Sequence, residues 1–141
     1  MYSVLEVLLY IIHFQEFSYI FRTLSNSANV EWPNCLSLDY IGNRLYWSDA
    51  KKDRISSVRF DGTDFKIILE RSHTIAHPFG ITVHKNLMFW DDWTHKSLYL
   101  ADKNSGKGIS EFVKNAEGAM DIKAFSFLHR QGKNACRYGF K

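Results

Sequence analysis

The pentapeptide LYWSD, Leu45 to Asp49, returns 43 positions later as MFWDD, Met88 to Asp92. An internal repeat at that period constrains the fold more than any single residue does, because each copy must form the same unit and lean on its neighbour. The match extends in both directions. Upstream, WPNCLSLD (Trp32 to Asp39) falls on HPFGITVH (His77 to His84) at an offset of 45, pairing Pro33, Leu36 and Leu38 with Pro78, Ile81 and Val83. The two-residue difference in offset is absorbed between the two motifs, where YIGNR in the first copy shrinks to about KN in the second, and length variation of that kind belongs in a hairpin loop. Downstream, Ile55 and Val58 fall on Leu98 and Ala101, Asp61-Gly62 on Ser105-Gly106, and KIIL (66–69) on EFV (111–113).

Each copy reads as four short strands: CLSLD, RLYWSD, RISSVRF and FKIILE in the first. Leu36 and Leu38 alternate with Ser37, the period of a half-buried strand. Gly42-Asn43, Lys51 to Asp53 and Asp61-Gly62 supply the turns, and Asp-Gly between apolar runs is a strong hairpin signal. A four-stranded antiparallel unit of this length is the mark of a β-propeller blade. One blade cannot cover its own faces, so Trp47 and Trp90, with Tyr46 and Phe89 beside them, are read as blade-to-blade packing. Asp49 and Asp92 end their strands, where a buried acid needs hydrogen-bond donors; both are read as structural acceptors beside the turn.

Pieces of further units flank the two copies. YIFRTLSN (Tyr19 to Asn26) resembles a last strand whose unit is missing, and AMDIKAF sets Met120, Ile122 and Ala124 on Phe79, Ile81 and Val83. Residues 1–17 match nothing in the repeat. Their apolar run, VLEVLLYIIHF (4–14), is too short to span a bilayer and is interrupted by Glu6 and His13. Leu5, Leu8, Leu9 and Ile12 share a helical face, which gives a short buried or amphipathic helix. A signal peptide fits less well, since no basic residue precedes Arg22 and no small-residue cleavage site is clear; a third reading makes the segment foreign to the domain.

The formal charge of +3 is spread among acids, as in Asp49, Lys51, Lys52, Asp53 and Arg54, which excludes a nucleic-acid stripe. No G-x-S-x-G, G-x-G-x-x-G, P-loop or H-E-x-x-H occurs, so neither an enzyme nor a cofactor is expected. A metal-centred propeller hydrolase would need inward-facing ligands at the inner strands. Asn34 and Asp39 are the only nearby residues of the first copy, with Phe79 and His84 in the second, so no metal site is expected. Six histidines raise a different chemistry: His73, His77, His84 and His95 surround one copy and are read first as solvated loop histidines, with His77 and His84 as the candidates for a pH switch.

LYWSD and MFWDDW, with their upstream partners and the Asp-Gly turn, resemble the class B (YWTD) repeats of the low-density lipoprotein receptor family over about residues 19–128. The resemblance implies an all-β, partial six-bladed YWTD propeller over 18–128, with repeats at about 32–75 and 76–117. The ending DIKAFSFLHRQGKNAC is similar to the family's exit into an epidermal-growth-factor-like module, here 129–141 and cut short, whose first disulfide cysteine would be Cys136. It also implies an extracellular or secretory-lumen setting, with a protein or lipoprotein as ligand and the neighbouring blades and module as intramolecular partners. By position in the repeat, Glu31, Trp32, Asn34 and Trp93 are the expected ligand contacts, Trp93 most of all.

Departures from the family pattern are few. Phe89 replaces the motif Tyr, and Ser48 and Asp91 replace its Thr. Cys35 stands where the family has Gly and is read as a buried thiol packing as an apolar residue, with a disulfide to Cys136 as the alternative. Two complete blades do not close a ring, and an open wedge exposes an apolar face and sheet edges, so the chain is read as a fragment. The expected function is a non-catalytic ligand-binding segment of an endocytic or signalling receptor; a nidogen-like matrix propeller is the alternative.

Overall fold

The computed structural model describes residues 29–119 and 121–124. The helix expected near the N-terminus, the strand expected at Tyr19 to Asn26, Met120, Cys136 and the module expected at 129–141 lie outside them. The described residues form eight strands and no helix. The first sheet holds β1 (Pro33–Asp39), β2 (Arg44–Asp49), β3 (Arg54–Arg59) and β4 (Lys66–Glu70). The second holds β5 (Pro78–His84), β6 (Leu87–Asp92), β7 (Ser97–Asp102) and β8 (Ser110–Val113). Both are antiparallel meanders in sequence order, two blades of an open propeller.

The registers are superposable. Trp47 lies between Leu36 and Ser56, and Trp90 lies between Ile81 and Tyr99, each at the same place in its own sheet. Turns repeat as well. Asp53 and Lys96 take left-handed φ of 50° and 52° between the second and third strands, and Gly62 and Gly106 take 81° and 68° between the third and fourth. At Gly106 the lack of a Cβ matters twice, because one built there would also lie 2.6 Å from the Ile68 carbonyl oxygen of the first blade's outer strand.

The blades differ in which face they offer each other. Period two and the register put Cys35, Tyr46 and Ile55 on one face of the first blade. These meet Ile81, Val83, Met88, Trp90, Tyr99 and Ala101 of the second blade in one apolar cluster, edged by Ile68 and Leu69 of β4. Ile75 enters the same cluster from the crossover that carries the chain from β4 back to β5. Within it the Trp90 and Tyr99 rings stack at 5.5 Å. Trp47 is equally buried, with the Phe65 ring 5.9 Å away. The Tyr46 hydroxyl is buried without a hydrogen-bond partner among the described residues, and burial pushes its pKa up to about 12. An unused hydroxyl explains why Phe89 serves at the equivalent position.

Polar links cross the same interface. Ser37, expected on the solvated side of a half-buried strand, is buried and its Oγ accepts the Val83 amide at 3.0 Å. The half-buried reading fails because the next blade covers the face on which Ser37 lies. Thr82, the second blade's equivalent of Ser37, accepts the Ala124 amide at 3.4 Å, so the chain after the second blade begins to dock as the second docks on the first. Ser48 Oγ donates to the Phe79 carbonyl, and Asn34 Nδ2 to the Pro78 carbonyl at 3.4 Å. Asp39, at the end of β1, pairs with Lys103, just past β7, at 2.5 Å with both side chains buried. Cys35 is buried with its sulfur 3.5 Å from the Ile81 carbonyl oxygen. It is a half-cystine and not the thiol its apolar setting suggested.

The motif acids act as four-way clamps. Asp49, fully buried, accepts the amides of Glu31 (2.7 Å) and Trp32 (3.1 Å) with its two oxygens, and those of Lys51 (3.2 Å) and Lys52 (3.1 Å) with Oδ1. Asp92 repeats the pattern on Ala76 (2.8 Å), His77 (2.9 Å), Thr94 (3.0 Å) and His95 (3.1 Å). Each carboxylate thereby ties the segment entering its blade to the turn after the second strand, satisfying donors that no strand ladder reaches.

Two outcomes follow for equilibrium unfolding in urea. Asp92→Ala leaves four amides without their acceptor and lowers stability by about 2–4 kcal/mol; Asp92→Asn, which keeps one acceptor oxygen, loses less. Lys103→Met strands a buried Asp39 carboxylate and costs about 3–5 kcal/mol, whereas Asp39→Leu combined with Lys103→Met restores most of the loss.

Candidate functional site: the aromatic rim above the clamps

The clamps fix a row of side chains along one end of the two sheets, where the first strand starts and the second strand ends. In the first blade, Asp49 holds the Trp32 amide, and the Trp32 indole stands 55% exposed. Lys51 Nζ lies 6.0 Å from that ring's centroid, and Lys52 pairs with Glu31 at 3.4 Å. Glu31 is exposed beside them. Cation and indole therefore share a solvent-facing patch held in place by backbone hydrogen bonds.

In the second blade the equivalent of Trp32 is His77, whose amide Asp92 accepts. Trp93 follows the acid directly. Its ring stacks on Phe79 at 4.5 Å and 8°, lies 5.8 Å from His77 at 27°, and donates from Nε1 to the Ala119 carbonyl at 3.0 Å. It stays 44% exposed. Trp93 is thus both packed and presented: its orientation is fixed while much of its surface faces water. Rigid, amphipathic indole of this kind is the side chain from which protein interfaces draw anchors.

The other expected site residues divide. Asn34 is half-buried, with its amide spent on Pro78 across the blades. His77 joins the rim, but His84 ends β5 at the opposite edge of the sheet, roughly 20 Å away at strand rise, so the structure does not bring the two histidines together. Asp39 is likewise at the far end of β1 from Asn34 and is taken by Lys103. Among the described residues no group of three or more His, Cys, Asp and Glu is placed to hold a metal ion. Sequence reasoning missed Phe79 and Lys51 as parts of the rim. Phe79 carried a signal, being a large aromatic where the other copy has Asn34. Lys51 carried none beyond its place in the turn.

Comparison with known proteins agrees with this architecture. Residues 43–85 match the family model for the low-density lipoprotein receptor repeat class B. The sortilin-related receptor of Oryctolagus cuniculus is 38% identical over 110 residues, 78% of this chain. The low-density lipoprotein receptor-related protein 4 of Homo sapiens is 40% identical over 101 residues, 72% of the chain. The vitellogenin receptor of Solenopsis invicta is 39% identical over 89 residues, 63% of the chain. Each alignment spans 5% of the relative's own length. Among solved structures, a nidogen/laminin complex contains a chain with 22% identity and a TM-score of 0.49, covering 55% of this chain and 30% of that one. With the repeat matched by its family model and present twice in the fold, the chain belongs to the low-density lipoprotein receptor class B (YWTD) repeat family.

Proposed function

We propose that this segment is a non-catalytic, protein-binding part of a receptor, and that its rim takes a protein ligand or the protein component of a lipoprotein. The observation that carries the reading is the pair of exposed indoles at one end of adjacent blades: the Asp49 clamp accepts the Trp32 amide, and Trp93, next to the Asp92 clamp, is fixed by stacking on Phe79 and by its Nε1 bond to the Ala119 carbonyl. Residues that are held before binding lose little conformational entropy on binding, which favours this clamped rim as a binding surface. Glu31, Lys51 and Lys52 give the patch polar partners around the aromatic surface, and Asn34 ties the two blades together through the Pro78 carbonyl. The relatives' names are those of receptors, which favours a receptor over a matrix protein as the parent. A half-cystine at Cys35 suits an oxidising compartment, extracellular or within the secretory and endosomal lumen. Under this reading residues 18–128 are the propeller segment, 1–17 precede it, and 129–141 open an epidermal-growth-factor-like module.

Selection of a phage-displayed random peptide library against the chain tests the rim. Peptides recovered on wild type lose about tenfold or more in affinity on Trp93→Ala or Trp32→Ala, and keep it on Phe112→Ala, which alters an exposed aromatic of the outer strand β8. Equal loss on all three variants, or on none, removes the rim as the binding surface. His77 gives the rim an ionisable member, because its imidazole stacks with Trp93. Affinity of the same peptides measured at pH 7.4 and 5.5 changes with pH in wild type and is flat in His77→Ala; an unchanged pH dependence in that variant takes His77 out of the switch.

A further inference from the structure

Asp91 occupies the position that Ser48 holds in the first blade: Ser48 faces Ile55 across its sheet, and Asp91 faces Leu98. The two side chains cannot do the same work in the same state. Ser48 uses an O–H to donate to the Phe79 carbonyl of the following blade. A carboxylate has no hydrogen to give, and a carboxylic acid does.

The surroundings of Asp91 suit the acid form. The residue is 2% exposed. Its Oδ1 accepts the Gly80 amide at 2.6 Å, and its Oδ2 is buried with no hydrogen-bond partner among the described residues. The chain following the second blade lies directly over it. A Cβ built on Gly80 would press on Asp91 Oδ1 and stand 3.1 Å from the Ile122 nitrogen and 3.2 Å from the Asp121 Cα. The next residues dock through the Ala124 amide on Thr82 Oγ1.

We propose that Asp91 is a proton-operated latch between the second blade and the chain that follows it: while its carboxyl is neutral the 121–124 segment can lie over it, and ionisation, which calls for water and meets the charge of Asp121, loosens that cover. Burial raises the Asp91 pKa to about 7, opposed by the Gly80 and Asp91 amides and reinforced by the charges of Asp92 on its own strand and Asp121 on the overlying segment. Lys123 pairs with Asp121 at 2.8 Å and offsets part of the latter. From β5 and β7 Asp91 meets Gly80 and Leu98, neither of which titrates. The sign follows from linkage. An acid whose pKa is higher in the folded chain than in the unfolded one favours the folded junction while protonated, and that contribution is lost as pH rises through about 7. The junction therefore tightens on mild acidification.

Carboxyl-carbon NMR of the intact chain, with hydrogen exchange at the Ala124 amide corrected for the intrinsic pH dependence of exchange, tests the latch. Asp91 is expected to titrate near pH 7, and opening at Ala124 to rise about tenfold between pH 5.5 and 8 in wild type. Asp91→Ser, which installs the first blade's hydroxyl, and Asp91→Asn, which keeps an N–H donor, are expected to make opening insensitive to pH over that range. An Asp91 carboxyl that titrates in the ordinary range near 4 overturns the proposal without any variant. So does a pH-dependent opening that survives in either substitution.

Discussion

Four backbone amides converge on each of two buried carboxylates, and the rest of the architecture depends on that convergence. Strand ladders satisfy the interior of each sheet, but the chain must still enter a blade and turn from its second strand to its third at the same end. Both places leave amides facing inward with no strand to receive them. Asp49 and Asp92 collect these amides, so one side chain fixes the entering segment, the turn and the spacing between them. The aromatic rim inherits its rigidity from this arrangement, since Trp32 and His77 hang from clamped amides and Trp93 is the residue after the clamp.

Packing between the blades is apolar in bulk and polar in detail. Trp90, Met88 and the β5 aliphatics provide area, while Ser37, Ser48, Asn34 and the Asp39–Lys103 pair fix how the second blade sits on the first. Dispersion and burial tolerate sliding; directional bonds do not. The repetition of the Ser37 link by Thr82 and Ala124 shows that the register of one junction is carried on to the next.

Much of this was legible in the sequence, for reasons that are local. Strand period, turn residues and the two-residue change of offset between the copies locate all eight strands, and an acid ending a strand announces that it has donors to meet. What stayed hidden depends on contacts between distant residues. Nothing near Asp39 points to Lys103, and Ser37 looks solvated until the next blade is placed against it. Asp91 reads as a mild variation on a small polar residue, because only burial from both sides gives its carboxyl a consequence. Trp93 was found by its lack of an evident packing role, yet its partner Phe79 lies fourteen positions upstream and only the fold stacks the two. The state of Cys35 followed the same rule, since an apolar setting suits a thiol and a half-cystine alike.

The two sides of a blade are unlike. The side bearing Trp90, Met88 and Tyr99 fits the one bearing Tyr46, Ile55 and Cys35, and β7 is buried on that side and only partly covered on the other. Such a contact is heterologous: it does not mate with its own copy across a two-fold axis. Blades joined in this way are added in a single direction around an axis, and the series ends only where rotation brings the last surface round to the first.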